Sequence, residues 1–223
     1  MTVAAVVPAL NEETTVSDTV SALFSTGMVD EVVVVDDGSR DATAERARAA
    51  GARVIRLRRT EGKGAAVRAG LSATDSDVVA LADADLGRTA SEMSKVIAAV
   101  VDGRADMAVA GFEASRGRGG FGLVVRLARL GILALTGVAL TWPLSGQRAF
   151  RRDLAAGLPP LPEGFGLEVG FAVDWARAGY SILEVPTSMR HRETGRDLRG
   201  FLHRGRQLWA VALTLLSRAV SRR

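Results

Sequence analysis

The sequence predicts a single α/β domain, with a mostly parallel, Rossmann-like central sheet and helices on its flanks. Short apolar runs rich in β-branched residues alternate with helical patterns along the first half of the chain. These runs are almost continuously hydrophobic, which is typical of strands buried on both faces. The alternation favours right-handed crossovers and parallel strands. A length of 223 residues suits one such domain and is short for two.

Five strands are predicted in the first half, at residues 3–7, 31–35, 53–57, 78–82 and 107–110. Helices are expected between them. One is indicated by Val16, Val20 and Leu23, which fall on one helical face. Another is expected to open at Thr89, because a glutamate three residues later completes a capping-box pattern, and to run to Val101.

The pattern changes after Gly111. Residues 114–122 are rich in glycine and arginine, which indicates a loop or a lid over a ligand. Further on, residues 169–178 are predicted as a helix and residues 180–185 as a short strand. The chain is expected to end in an amphipathic helix over residues 205–220.

Composition excludes some classes of site and favours others. The chain has no cysteine, so disulfides and thiolate metal sites are excluded. Its formal net charge is +4 and its pI is about 10.5, which favours anionic partners. The first residues read as a strand, not as a signal peptide, and the most apolar stretch, 130–144, is short for a bilayer span. We therefore expect a cytoplasmic protein, with contact at the inner membrane face left open.

Polar residues follow three of the predicted strands. The motifs are Pro8-Ala9-Leu10-Asn11-Glu12-Glu13, Asp36-Asp37-Gly38-Ser39 and Asp83-Ala84-Asp85. In open α/β sheets, ligands bind beyond the carboxyl ends of the strands, so these motifs predict a site at one edge. Each has an ordinary alternative, as a turn, a helix start or a chance spacing. Their joint order along one sheet favours the site.

Asp83 and Asp85 suit a divalent cation. Residues two apart on a strand face the same way, so both carboxylates can point at one ion. Oxygen ligands of this kind favour magnesium or manganese, which would bridge two phosphates and stabilise a leaving diphosphate. We therefore expect Mg²⁺ or Mn²⁺ as the cofactor.

The ordered motifs, together with Gly62-Lys63-Gly64, resemble those of family-2-type GT-A glycosyltransferases, a group that includes the dolichyl-phosphate mannose and glucose synthases. The later part is similar to the glucosyl-3-phosphoglycerate synthases. The segments that carry this likeness are Pro143-Leu144-Ser145-Gly146, Gly164-Phe165-Gly166-Leu167-Glu168-Val169-Gly170, Asp174, Arg190-His191-Arg192, Arg206-Gln207 and Leu215-Leu216-Ser217-Arg218.

The resemblance implies a GT-A domain over residues 1–223. Residues 1–111 would bind the nucleotide sugar, and residues 112–223 would bind the acceptor. It also implies roles for single residues. Pro8, Leu10 and Glu12 would line the base and ribose pocket, Asp37 would contact the base or ribose, and Lys63 would approach the base or the phosphates. Asp85 would be the direct metal ligand, with Asp83 nearby on the ribose or on metal-bound water. His191 would complete the metal site, and Glu168 would face the sugar and the acceptor.

The implied activity is metal-dependent transfer of a hexosyl group, with UDP-glucose as the first donor and an anionic acceptor such as a phosphorylated small metabolite. Leu123 and Val125 stand where the phosphoglycerate enzymes carry an arginine and a threonine, which counts against that acceptor. A polyprenyl phosphate at the membrane surface is the alternative, and stereochemistry is open. A homodimer is left open too.

A non-enzyme alternative is a basic peripheral membrane-binding protein, indicated by the arginines of residues 190–206 and the final helix. Nucleic acid is not expected as a partner, because aromatic residues make up only 5% of the chain and do not interleave the arginines. Residues 117–122 fit a dinucleotide fingerprint, but they do not follow the first strand, so we reject that interpretation.

Overall fold

The protein is described by a computed structural model. It describes residues 1–112, 122–162, 164–190 and 198–220, apart from the side chains of residues 165, 198–204 and 206. Within these residues the strands are β1 (Val3–Ala9), β2 (Glu31–Asp36), β3 (Arg53–Arg56), β4 (Val78–Leu81), β5 (Met107–Phe112), β6 (Arg148–Arg151) and β7 (Ile182–Thr187). The α-helices are α1 (Val16–Phe24), α2 (Thr43–Ala49), α3 (Lys63–Ser72), α4 (Met93–Val101), α5 (Gly122–Thr136), α6 (Arg152–Ala155), α7 (Leu167–Arg177) and α8 (Leu198–Val220).

The strands form one seven-stranded sheet in the order β3-β2-β1-β4-β6-β5-β7. β1 lies between β2 and β4 and is parallel to both. The predicted α/β class and mostly parallel sheet are confirmed. β6 was not predicted, and it is the exception in direction, because it runs antiparallel to both β4 and β5.

Apolar side chains cover both faces of the sheet. On one face, Val20 of α1 and Ile97 of α4 pack over the strands. On the other face, Val67 of α3 and Trp175 of α7 do so. The strands β1, β2, β4 and β5 are buried on both faces, as their continuous hydrophobicity predicted. A third apolar cluster joins α7 to α5 and α8, outside the second face.

The predicted capping box does not form. Residues Gly87–Glu92 are a 3₁₀ helix, and α4 begins at Met93. Thr89 donates its hydroxyl to the carbonyl of Leu86. The Glu92 carboxylate accepts from the backbone N–H of Ser188, at 3.0 Å, and from Lys95. A long-range contact therefore uses the side chain that the local pattern assigned to capping.

The final helix is longer than predicted. α8 begins at Leu198, seven residues before the expected start at Gly205. α7 and β7 lie within two residues of their predicted bounds. The predicted lid at residues 114–122 falls almost wholly outside the described residues. Among the helices of the described chain, none combines the length and apolar character that crossing a membrane needs.

Candidate active site

The carboxyl ends of β1 and β2 are joined into one rim. The two strands pair from Ala4 to Ala9, so their ends lie side by side. Beyond them, the backbone N–H of Asn11 donates to Ser39 Oγ at 2.9 Å, and the backbone N–H of Glu12 donates to Thr43 Oγ1 at 2.8 Å. Asn11 has a φ of 56°, a left-handed conformation that asparagine tolerates better than most residues.

Along this rim lie three of the residues assigned to the base and ribose pocket. Pro8 is half-buried at the end of β1, where it pairs with Val35. Leu10 is 40% exposed, which leaves an apolar side chain at the surface of the rim. Glu12 is half-buried and accepts a hydrogen bond from the hydroxyl of Thr15 at 3.0 Å. The structure therefore places all three close together in the chain, at the end of β1 and in the loop that follows it.

Asp37 anchors the neighbouring loop. It is buried, and its two carboxylate oxygens accept the backbone N–H groups of Glu61 and Gly62, at 2.8 and 2.9 Å. This fixes the loop from which α3 begins with Lys63. A Cβ at Gly38 would lie 3.0 Å from the backbone of Arg59, so the loop packs closely there. A contact of Asp37 with a base or ribose stays a prediction.

Lys63 joins two distant carboxylates. Its Nζ lies 2.7 Å from Asp83 Oδ1 and 3.2 Å from Glu168 Oε1. The three side chains come from the start of α3, the turn after β4 and the first turn of α7. Burial alone would lower the pKa of Lys63, but the charges of Asp83 and Glu168 outweigh it and raise that pKa above its usual range. Lys63 is therefore a stable cation at the centre of the site.

Two neighbours of this cluster were missed in the sequence. Gln147 Nε2 donates to Asp83 Oδ2 at 2.6 Å, so both oxygens of Asp83 are engaged. Arg148, only 2% exposed, donates to the carbonyl of Ser145 at 2.5 Å and to that of Glu168 at 3.4 Å. Burial lowers the pKa of Arg148 to about 10, although Glu168 and Asp83 oppose that shift. Arg148 thus remains charged at neutral pH.

Gly146 leaves room for the lysine. A Cβ at this position would come within 2.5 Å of Lys63 Nζ. The signal that could have found the two missed residues is the run Gly146-Gln147-Arg148, where polar side chains lead into the short strand β6, which begins at Arg148. Polar groups in such a place need partners, and here the partners are the site's own carboxylate and carbonyl groups.

Asp85 is presented by a turn that α1 holds in place. Thr19, fully buried in α1, donates its hydroxyl to the carbonyl of Ala84 and accepts the backbone N–H of Gly87, both at 2.9 Å. Asp85 is half-buried between these two points. Two hydrogen bonds from α1 therefore hold the backbone on either side of the second aspartate.

The donor set fits a magnesium or manganese ion. No group of three or more His, Asp or Glu side chains suited to a metal is found among the described residues. Such ions are nevertheless held in many proteins by one or two carboxylates, with water and substrate phosphates completing the shell. Asp85 would supply such a carboxylate, and Asp83, engaged by Lys63 and Gln147, would lie beside the ion.

His191 lies outside the described residues. Its predecessor Arg190 is described, and the backbone N–H of Arg190 donates to Thr89 Oγ1 at 3.3 Å. Thr89 follows Asp85 by four residues. The chain thus returns from β7 to the segment just beyond the second aspartate.

Comparisons with known proteins match this chain to enzymes. The family described as "Glycosyl transferase family 2" matches residues 4–155, which include both rim loops, Lys63 and Asp83 to Asp85. The glucosyl-3-phosphoglycerate synthase of Mycolicibacterium smegmatis is 35% identical over 240 residues, covering 97% of this chain and 77% of that protein. The dolichyl-phosphate hexose transferase of Haloferax volcanii is 36% identical over 169 residues, covering 73% of this chain and 71% of that protein.

Solved structures of similar proteins match this chain over almost its whole length. The glucosyl-3-phosphoglycerate synthase from Mycobacterium tuberculosis, in complex with Mg²⁺ and UDP, superposes with a TM-score of 0.81 at 31% identity. That comparison covers 97% of this chain and 79% of the other. The same enzyme has been solved with Mn²⁺, UDP-glucose and phosphoglyceric acid. The mixed sheet with its flanking helices is thus the GT-A fold, and the acidic motifs that follow β2 and β4 lie at the carboxyl edge of that sheet. The chain is a glycosyltransferase and belongs to glycosyl transferase family 2.

Proposed function

We propose that this enzyme transfers a hexosyl group, glucose first, from a UDP-linked donor to an anionic acceptor such as a phosphorylated small metabolite. The observation that carries the proposal is the cluster of Lys63, Asp83 and Glu168 beside Asp85. It sets a cation between two carboxylates next to the rim that would take the nucleotide. The relatives solved with UDP-glucose and phosphoglyceric acid support the choice of donor and acceptor class.

Residues 1–111 supply the donor half of this site. Pro8, Leu10 and Glu12 would line the base and ribose pocket, and Asp37 would contact the base or ribose while it holds the loop before α3. Lys63 would move towards the diphosphate when it binds, because phosphate oxygens compete with Asp83 and Glu168 for its charge.

Asp85 would hold a magnesium or manganese ion, with His191 as the second protein ligand. The bound ion would supply Lewis-acid stabilisation of the charge that develops on the departing diphosphate. The turn fixed by Thr19 keeps Asp85 oriented before the donor arrives. The hydrogen bond from Arg190 to Thr89, four residues after Asp85, supports the choice of His191 as that ligand.

Residues 112–223 supply the acceptor half. In the reaction, the bond between the anomeric carbon and the diphosphate oxygen breaks, a bond to the acceptor oxygen forms, and the acceptor loses its proton. Glu168 would face the sugar and the acceptor, held by its contact with Lys63. Arg148, charged and buried behind Glu168, would keep the first turn of α7 in place.

The test is a screen of nucleotide sugars with the full chain. We expect hydrolysis of UDP-glucose that requires Mg²⁺ or Mn²⁺ and is suppressed by a chelator, and faster turnover with a phosphorylated acceptor. Glu168→Gln should abolish turnover while UDP still binds. Binding of no nucleotide sugar, with or without metal, would overturn the proposal.

A second acceptor class has its own support. The dolichyl-phosphate hexose transferase of Haloferax volcanii matches almost three quarters of this chain. Leu123, which the resemblance places where the phosphoglycerate enzymes carry an arginine, is 68% exposed at the start of α5. A polyprenyl phosphate should therefore be included in the acceptor screen, where transfer to it alone would replace the soluble acceptor.

A further inference from the structure

The helix α5 carries an apolar stripe on its outer side. Leu123, Leu130 and Leu133 are exposed, by 68%, 61% and 44% of their surface. The opposite side of the helix, with Val124 and Ile132, is buried against α7 and α8. An amphipathic surface helix normally turns polar residues outward, whereas the outer side of α5 carries these three leucines.

The helix α8 repeats this arrangement. Trp209, Leu213, Leu216 and Val220 follow each other at spacings of four, three and four residues, which places them on one helical face. They are 68%, 48%, 61% and 86% exposed. The two stripes together hold seven of the nine large hydrophobic side chains that are exposed in the described part of the chain.

The two stripes lie next to each other. Gly131 of α5 packs directly under Leu215 of α8, where a Cβ would overlap the leucine side chain. One end of the contact opens into an apolar groove of about 340 Å³, between Leu123 and Leu127 on one side and Leu208 and Trp209 on the other. The stripes therefore form one continuous surface, which we call the α5–α8 face. Exposed apolar patches of this kind mark interaction sites.

The charge of the same helices selects the partner. α5 contains two arginines and α8 four, and neither contains an aspartate or a glutamate. Arg129 and Arg218 are engaged by Thr141 and Asp174. Arg126 is exposed and lies three residues after Leu123 and four before Leu130, at the border of the apolar stripe.

We propose that the α5–α8 face docks this protein on an anionic phospholipid bilayer. Interfacial helices combine an apolar face with arginines and with tryptophan or leucine, and anionic headgroups attract the basic residues beside it. A second copy of the chain would fit less well, because neither helix contains an acidic residue, so the face would offer no carboxylate to Arg126 in a two-fold contact with itself. The proposal is independent of the donor and acceptor proposed above.

The experiment is flotation of the full chain with vesicles. We expect binding to phosphatidylcholine vesicles that contain phosphatidylglycerol, weak binding to phosphatidylcholine alone, and loss of binding at high salt. The double variant Trp209→Glu/Leu216→Glu should lower the bound fraction by about tenfold or more. Both positions are exposed, so its unfolding temperature should match that of the wild type.

The control is Ala156→Glu, an exposed apolar-to-acid change at the end of α6, which should bind vesicles like the wild type. Absence of binding to anionic vesicles, or equal binding of the double variant, would overturn the proposal. A wild type that forms dimers and binds no vesicles, together with a monomeric double variant, would also overturn it, since a second copy would then cover the face. Binding only to neutral vesicles doped with a polyprenyl phosphate would assign the groove to an acceptor lipid instead.

Discussion

At the scale of single residues, the site separates two aspartates with different surroundings. Asp83 is engaged on both oxygens, by Lys63 and Gln147. Asp85 is set by a turn that Thr19 ties to α1. Two carboxylates two residues apart would repel each other, and the charge of Lys63 offsets one of them. This division supports the proposal that Asp85, and not Asp83, would be the direct ligand of the ion.

Asp85→Ala should remove the metal-dependent part of UDP binding, because we propose that this carboxylate holds the ion. The fold should stay intact, because the side chain is only half-buried and the turn is held by Thr19. Calorimetry of UDP with and without Mn²⁺ measures this. Asp102→Ala is the control, since that aspartate is 60% exposed at the end of α4, before β5 begins, whereas the site lies beyond the carboxyl ends of the strands. Manganese–UDP affinity equal to that of the wild type would remove Asp85 from the metal site.

His191→Ala tests the second proposed ligand in the same assay. We expect it to weaken binding of UDP with Mn²⁺ more than binding of UDP alone. Since a neutral imidazole is the form that binds metal, the wild-type affinity should also fall as pH drops through the ordinary histidine range near about 6.5. An equal loss with and without the metal would make His191 a surface residue of the loop.

Lys63→Met should destabilise the protein, because Asp83 and Glu168 would then face each other without the shared cation. A hydrogen bond to a charged group contributes about 1.5–3 kcal/mol, and we expect a loss at the lower end because the lysine is one-third exposed. Urea unfolding measures the change. Adding Asp83→Asn to Lys63→Met should restore part of the stability. A double variant less stable than Lys63→Met alone would contradict this account.

At the scale of elements, the sequence predicted the strands whose burial is complete. β1, β2, β4 and β5 are apolar throughout, and that pattern needs no knowledge of their neighbours. β6 escaped prediction because it is four residues long and begins and ends with arginine. Its place in the sheet depends on Arg148 being buried against α7, a tertiary contact that local patterns do not contain.

The same division holds for the site. The acidic strand ends were predictable, because the carboxyl edge of a parallel sheet is where ligands bind. The contact of Lys63 with Glu168 was not, since it joins α3 to α7 across about half the chain. The capping box at Thr89 failed for a related reason. Its glutamate bonds Ser188, which lies 96 positions away.

The contact between Glu92 and Ser188 predicts a pH dependence. The bond from Lys95 and the backbone bond from Ser188 hold the pKa of Glu92 below its usual value. A carboxyl whose pKa is lowered on folding stabilises the protein above its unfolded pKa, and this stability is lost as pH falls through the folded pKa. Glu92→Gln should thus cost about 1 kcal/mol at neutral pH and almost nothing in acid below that pKa.

Unfolding curves of the wild type and Glu92→Gln from neutral to acid pH provide the measurement. Glu45→Gln is the control, because Glu45 is 59% exposed and 3.9 Å from its arginine partner. A difference between Glu92→Gln and the wild type that stays constant with pH would assign the effect to packing instead of charge.

At the scale of the whole molecule, the chain is arranged in layers with different tasks. The sheet and the helices on its two faces fix the rim and the carboxylate cluster. α5 and α8 add a further layer outside α7. This layer contacts the start of α7 at Gly166, the residue just before that helix. A Cβ at Gly166 would overlap Thr214 of α8, so α8 packs directly against the backbone there. Close packing there fixes the position of α7, and with it Glu168, whereas the outer side of α8 is turned away from that contact.

Nucleotide protection can show whether the rim and the α5–α8 face act separately. UDP with Mn²⁺ should raise the unfolding temperature of the wild type. At a ligand concentration of about 100 times Kd, the stabilisation is about 2.7 kcal/mol, or roughly 5–10 °C for a domain of this size. Trp209→Glu/Leu216→Glu should keep this shift, because its substitutions point outward from the layer. Asp85→Ala should lose this shift, and RNA should produce no shift in any of the three proteins.

If the double variant loses the protection by UDP although it folds normally, the outer layer and the nucleotide site are coupled through α7. Vesicle binding would then be expected to change turnover.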